Sequence, residues 1–328
     1  MTGFQRAFDR TEKLGWRCAL GVVDRLSPRL ATRLVHRREY GQRLELDDPR
    51  DFNDKLQWLK LYGDRRGLSR CADKYAVRQF AAERGCAVAL SRLIGLYEGV
   101  DAIVWEELPA RFALKCTHGC GYNVIIDDKR KADERAVKRR LHHWLKERYA
   151  RRYLEYHYDA IPPRVLAEEY IETATGGVPV DYKVYCFHGR PRVVLVCTDR
   201  GGDMRFDFHD PAWQRLELND RQHQSAAGVA RPRALDEMLE LAERLSRGFV
   251  FVRVDFYERQ GRAVLGEMTF TPGANVSRRY NAYGQRYLGD LIDLTQVGRR
   301  CRHDREVTAG RSLSFNGTVQ GADNGGHE

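Results

Sequence analysis

Cysteine is sparse and scattered, eight thiols in 328 residues, so the chain is no disulfide-stapled module and reads as a cytoplasmic protein with reduced cysteines. The closest pair, Cys116 and Cys120, flanks His118, yet no second ligand pair stands at a zinc-site spacing. No apolar run approaches the length of a bilayer span. The early charges Arg6, Asp9, Arg10, Glu12 and Lys13 are mixed in sign, and Arg17 interrupts the only apolar run nearby, so no secretion signal is read there. There is no internal repeat, no Walker A sequence, no dinucleotide fingerprint and no evident Ser-His-Asp set. What is present is a 42% hydrophobic chain, enough for a sizeable core, with a net charge of +10. That charge suits an anionic partner: nucleotide phosphates, an acidic polymer, nucleic acid or a membrane surface.

Residues 1 to about 50 are basic and helical in pattern. Ser27 and Pro28 open "SPRLATRLVHRREY" as N-cap and first helical residue. Leu26, Leu30 and Leu34 form a stripe beside Arg25, Arg29, Arg33 and Arg37, which suits either an anionic membrane surface or a docked helix with a solvated basic face. Two amphipathic helices are expected next, at 52–64 and 71–85. "RFALKCTHGCGYNVIIDD" reads as strand, glycine-containing loop, strand, and residues 129 to 158 as one long basic helix with Val137, Leu141, Trp144 and Leu145 buried. "VDYKVYCFHGRPRVVLVCTD" is a hairpin, 234–248 a helix ended by Gly248, and the chain beyond about 295 an unstructured tail. Helices followed by mixed strands and hairpins give an α+β fold.

The hairpin "RVDFYERQGRAVLGEMTFTPG" carries the first chemical signal. Alternation puts Arg253 and Asp255 on one face, and Glu267 and Thr269 on one face. A three-residue loop at 260–262 would set Asp255 opposite Glu267 and Arg253 opposite Thr269. Two facing carboxylates call for a cation, and Mg²⁺ shared with substrate phosphates is the economical one. The hairpin equally allows one acid to pair with Arg253 while the other lies exposed. Lys115, in an apolar strand ahead of Gly119 and Gly121, suits a phosphate, although an edge-strand lysine at a turn is the plainer reading. Glu168 and Glu169 end one strand, and Asp181 and Lys183 share a face of another.

In order, these pieces resemble the TupA-like ATP-grasp family, named for teichuronopeptide synthesis. "FNDKLQWLKLY", "ADKYAVR", "RFALKCTHGCGYNVI", "VLAEEYIE", "DYKVYCFHGRP" and "FVRVDFYERQGRAVLGEMTFTPG" carry the resemblance over about residues 51 to 295. It implies an ATP-grasp fold in which two α+β subdomains sandwich ATP behind a helical N-terminal region (1–50). The expected divisions are 51–110, a small ATP-binding subdomain at 111–165, a large metal-binding subdomain at 166–295 and a tail at 296–328. By resemblance, ATP would meet Lys74, Lys115, His118, Gly119, Gly121, Asn123, Asp181 and Lys183, with adenine at the hinge Glu168, Glu169, Tyr170 and Ile171. Asp255, Glu267 and Thr269 would hold Mg²⁺, as two ions, and Arg253 and Lys183 would serve catalysis. Thr269 stands where many ATP-grasp enzymes have asparagine; Asn275 lies near enough in sequence to substitute.

The implied activity is carboxylate–amine ligation through an acyl phosphate. The expected partners are ATP, an anionic carboxylate acceptor (polysaccharide or lipid-linked) of the cell envelope, and an amine or amino acid. No nucleic acid is expected, and peripheral membrane contact would run through the basic N-terminal region. A phosphotransferase is the alternative; a glycosyltransferase is disfavoured because no DxD-type loop is found.

Overall fold

In the computed structural model, residues 15–16, 18–172, 179–198 and 204–297 are described. The chain divides into two units, Met1–Ile292 and Asp293–Glu328; in the second, only residues 293–297 are described, so the expected tail lies almost wholly outside.

The first unit carries two antiparallel sheets. The smaller has the order β1-β4-β2-β3, with β1 Leu93–Tyr97, β2 Phe112–Cys116, β3 Asn123–Ile126 and β4 Val165–Glu169. The larger has the order β10-β9-β5-β6-β7-β8, built on β5 Asp181–Phe187, β6 Arg190–Thr198, β7 Arg205–His209, β8 Arg215–Leu216, β9 Phe251–Arg259 and β10 Arg262–Thr269. Strand β4 pairs with β1 and β2, so residues 166–169, expected in the large subdomain, belong to the smaller sheet.

Alternation along the strands separates core from site. Val184 on β5, Val194 on β6 and Val254 and Phe256 on β9 face one way, packing with Leu235, Met238, Leu241 and Leu245 of a helix at Leu235–Ser246. Each such fully buried side chain contributes roughly 1.5–3 kcal/mol. The intervening residues Asp181, Lys183, Arg253 and Asp255 face the other way, into a cavity. The smaller sheet packs Phe112, Leu114, Val124 and Ile126 with Val137 and Leu141 of a helix at Glu134–Lys146.

The β9–β10 hairpin brings Glu267 opposite Asp255 and Thr269 opposite Arg253, as expected, but by another route. The turn holds two residues, Gln260 and Gly261, both at positive φ, and Arg262 pairs with Arg259. On that register Glu267 would share the core face with Leu265. A bulge at Gly266, between the Leu265–Phe256 and Glu267–Asp255 pairs, shifts the phase by one residue and turns Glu267 to the cavity. A Cβ at Gly266 would lie 3.1 Å from the Tyr257 ring and 3.2 Å from the Asp255 carbonyl oxygen.

Two expected helices are broken. Residues 71–85 split into Leu68–Ala72 and Ala76–Glu83, because the Asp73 carboxylate accepts from the Tyr75 and Ala76 amides and sets a new start. The long basic helix ends at Lys146 and restarts as a short turn at Ala150–Tyr153; Tyr122 and His143 hold Glu147 between them. Helix Pro28–Tyr40 begins as expected, with the Ser27 hydroxyl accepting from the Leu30 amide. It docks through Ala31, Thr32, Val35 and His36, and its leucine stripe faces outward. Helix Phe52–Tyr62 buries Phe52, Asn53, Leu56, Gln57 and Lys60, leaving Trp58 and Leu59 only half-buried.

Candidate active site

The cavity has a volume of about 520 Å³. The smaller sheet supplies Lys115 and Asn123 to its wall and its β2–β3 loop supplies Gly121, while the larger sheet supplies Asp181, Lys183, Arg253, Asp255, Glu267 and Thr269. Lys74 enters from the break between the two short helices.

On the larger sheet the charges interlock. Arg253 donates from Nε to Asp255 Oδ1 at 2.6 Å and from Nη2 to Oδ2 at 2.7 Å. Lys183, directly across from Asp255 in the β5–β9 pairing, donates to Oδ2 at 2.6 Å and sits 3.2 Å from Asp181. Burial alone would raise the Asp255 pKa, but the two cations outweigh it and hold it below the usual carboxylate range. Burial likewise opposes the Lys183 charge, and Asp255 overrides it, raising the Lys183 pKa. Glu267 is looser: one oxygen lies 3.3 Å from the Thr269 hydroxyl and 3.6 Å from Arg253, and its side chain is 27% exposed. Arg253 thus pairs with Asp255 beside a more open Glu267. None of these contacts uses Arg253 Nη1.

Asp255, Glu267 and Thr269 bring hard oxygen donors to one patch of the wall. That donor set fits Mg²⁺, with Glu267 the most available ligand, and Asp255 Oδ2 would lose one of its two donors if Lys183 turns to a phosphate. Among the described residues, no group of three His, Cys, Asp or Glu side chains forms a metal cluster. Asn275 is fully buried and lines no part of the cavity, whereas Thr269 does.

On the smaller sheet Lys115 Nζ lies 2.6 Å from Glu168, which also accepts from Arg78 at 2.9 Å and from the Ser91 hydroxyl at 2.7 Å. Against the effect of burial, these three partners keep Glu168 ionised below its ordinary range. The loop after β2 is anchored by Lys74, which donates to the Gly119 carbonyl. A Cβ at Gly119 would sit 2.8 Å from Tyr122 and 3.0 Å from Tyr149, so the position requires glycine. His118 points away from the cavity, its Nε2 3.1 Å from the Trp144 carbonyl. The loop faces the larger sheet across the cavity: the Glu267 carboxylate, followed by burial, pushes the Cys120 thiol up to about 11.

His118, Gly119, Glu168, Glu169, Tyr170 and Ile171 do not line the cavity. Glu168 acts on it through Lys115, while Glu169 pairs with Arg259 at 2.8 Å and the Tyr170 ring lies under Arg111. The lining residues that sequence reasoning missed include one whole wall, Tyr149, Tyr153, Glu155 and Tyr158, all following the helix break at Glu147. Glu155 is buried, accepts from the Thr271 hydroxyl, and is raised to about 7 by burial. Only the density of aromatic residues in "YARRYLEYHY" hinted at this wall.

Among solved structures, a D-alanine–D-alanine ligase from Bacillus anthracis complexed with ATP is 15% identical, with 73% of this chain and 70% of that one covered and a TM-score of 0.44. A D-alanine–D-alanine ligase from Helicobacter pylori is 13% identical, covering 74% and 67%, with a TM-score of 0.39. The ATP-grasp ligase PsnB, complexed with minimal precursor, Mg and ADP, is 14% identical over 73% and 64%, with a TM-score of 0.37. No curated protein matches the chain. The family model described as TupA-like ATPgrasp matches residues 54–293.

Proposed function

Because the chain belongs to the TupA-like ATP-grasp family and is an ATP-grasp ligase, we propose that it joins a carboxylate on an anionic envelope polymer, or on its lipid-linked precursor, to an amine. The observation that carries this reading is one cavity with a lysine from each sheet, Lys115 and Lys183, and a facing acid pair, Asp255 and Glu267. Without ATP the lysines neutralise Glu168 and Asp255; with ATP they would turn to its phosphates. Lys74 and Gly119 would hold the loop over those phosphates.

In the first step a carboxylate oxygen attacks the γ-phosphorus and the bond to ADP breaks, leaving an acyl phosphate. In the second an amine attacks the acyl carbon, phosphate leaves, and the amine gives up a proton. Mg²⁺, held by Asp255, Glu267 and Thr269, would neutralise phosphate charge. Arg253 Nη1 is the donor suited to the oxyanion of the second step. The anionic acceptor is supported by the +10 charge and by Arg279 in the cavity wall. The site of action proposed is the cytoplasmic face of the membrane, with peripheral contact through the basic N-terminal region.

A screen of uronates and amino acids for ADP release, with hydroxylamine to trap the acyl phosphate, tests the reading. Hydroxamate that depends on both ATP and a uronate supports it. ADP release with a stable phosphorylated product and no hydroxamate would convert it to a phosphotransferase. ATP binding with no turnover on any carboxylate would overturn it.

A further inference from the structure

A second cavity of about 540 Å³ lies apart from the catalytic residues, between the helix over residues 18–26 and the chain segment 143–152. Its lining is strongly basic: Arg25, Lys146, Arg148, Arg151 and Arg152, with His143 and a single carboxylate, Glu147. That carboxylate is already engaged by the Tyr122 hydroxyl at 2.5 Å and His143 at 3.0 Å. Arg148 reaches Asp159 only at 3.8 Å, and among the described residues Arg25, Lys146 and Arg151 have no carboxylate partner. Five like charges around one cleft repel each other, so the cleft is built for an anion.

Its rim is apolar. The helix over 18–26 docks by Leu20 and Val23 against Ala31, Val35 and Leu154. On its outer side, one turn apart, Val22 is 57% and Leu26 82% exposed, and Val22 also lines the cleft. Leu30 and Leu34 on the following helix are 50% and 37% exposed. A soluble polyanion would meet the arginines and gain nothing from exposed aliphatic side chains. A bilayer uses both, with apolar side chains entering the acyl boundary and arginines meeting the headgroups.

We infer that the 18–26 helix and the adjoining basic cleft form a docking surface for an anionic phospholipid bilayer. The segment 146–155 is shared between the two cavities: Lys146, Arg148, Arg151 and Arg152 line the cleft, and Tyr149, Tyr153 and Glu155 line the catalytic cavity. Docking therefore brings the reaction site to the membrane surface, where a lipid-linked acceptor would present its carboxylate. That consequence rests on the ligase reading; the binding itself does not.

The test is co-sedimentation of the full chain with phosphatidylcholine vesicles, with and without phosphatidylglycerol, at physiological ionic strength. Binding is expected only with phosphatidylglycerol. Arg25→Gln and Arg151→Gln should each weaken it about fivefold, and Leu26→Ser roughly tenfold, with unchanged melting temperatures because all three side chains are exposed. No binding to the anionic vesicles, or equal binding to neutral ones, overturns the inference. So does capture of soluble polyuronate by wild type and Leu26→Ser alike without vesicle binding, which makes the cleft a polymer site. So does a dimer in the absence of vesicles that Leu26→Ser dissociates, which makes the face a self-association surface.

Discussion

Asp255 and Glu267 face each other across a strand pair, yet their removal should cost very different amounts of stability. The Asp255 side chain is 4% exposed and takes three short bonds, two from Arg253 and one from Lys183. Asp255→Asn keeps the shape but sets an amide NH₂ against two buried cations that now repel each other. Breaking a buried pair in this way costs about 3–5 kcal/mol. In a domain of this size each kcal/mol lowers the melting temperature by about 2–4 °C, so a fall on the order of 10 °C is expected. Glu267→Gln removes a more open carboxylate whose nearest partners are 3.3 and 3.6 Å away, at a cost below about 1 kcal/mol. Both substitutions should depress ATP-dependent ADP release by about a hundredfold or more. Thermal melts with and without ATP and Mg²⁺, beside an ADP-release assay, separate the two effects. Inorganic pyrophosphate should restore part of the lost stability in Asp255→Asn, because an anion again meets Lys183 and Arg253. The reasoning fails if Asp255→Asn melts with the wild type, or if Glu267→Gln falls as far as Asp255→Asn.

Gly119→Ala drives a methyl into Tyr122 and Tyr149, so ATP affinity, read by calorimetry, should fall about tenfold as the loop shifts; unchanged affinity would show that the loop does not touch ATP. Lys115→Met leaves Glu168 with Arg78 and Ser91, so the loss of stability should stay near 1–2 kcal/mol while ATP binding weakens at least about tenfold. Wild-type affinity in that variant would remove Lys115 from the phosphate site. Burial, and then Lys60, lowers His157 from 6.5 to about 4, so its neutral form is the one the fold favours. Stability from this group is present above pH 6.5 and is lost as pH falls through 4, by about 3 kcal/mol in all. His157→Phe should flatten the acid limb of melting temperature against pH, and an unchanged limb would place the acid sensitivity elsewhere.

Much of the strand framework was legible because short runs of apolar, aromatic and β-branched residues are broken by glycine-containing turns: the pieces read as 112–116, 123–126 and 181–198 are strands in the structure. Facing of Asp255 and Glu267 followed from parity, although Gly266, read as an ordinary strand residue, supplies the phase assigned to the turn. The helix breaks at Asp73 and Glu147 were illegible because helical periodicity resumes beyond each, and only a local cap or a distant tyrosine ends the run. Glu168 was read as a hinge residue; its bond to Lys115 joins positions far apart in the chain, which no local pattern encodes. The outward leucines had a different cause. Ala31 and Val35 are small enough for close docking, and the larger residues were left on the other side.

The bulge at Gly266 makes the hairpin two ribbons in series. Between Gly266 and the turn, spacing is dictated by the hydrophobic core; beyond it, by the cavity. A residue added to each strand at the tip would lengthen the outer ribbon and leave the acids in step. A single residue inserted between Gly266 and Glu267, or the loss of Gly266 itself, would swap the faces of Glu267 and Met268. The tip is therefore free to drift over generations while a stretch of three residues fixes where the charge goes.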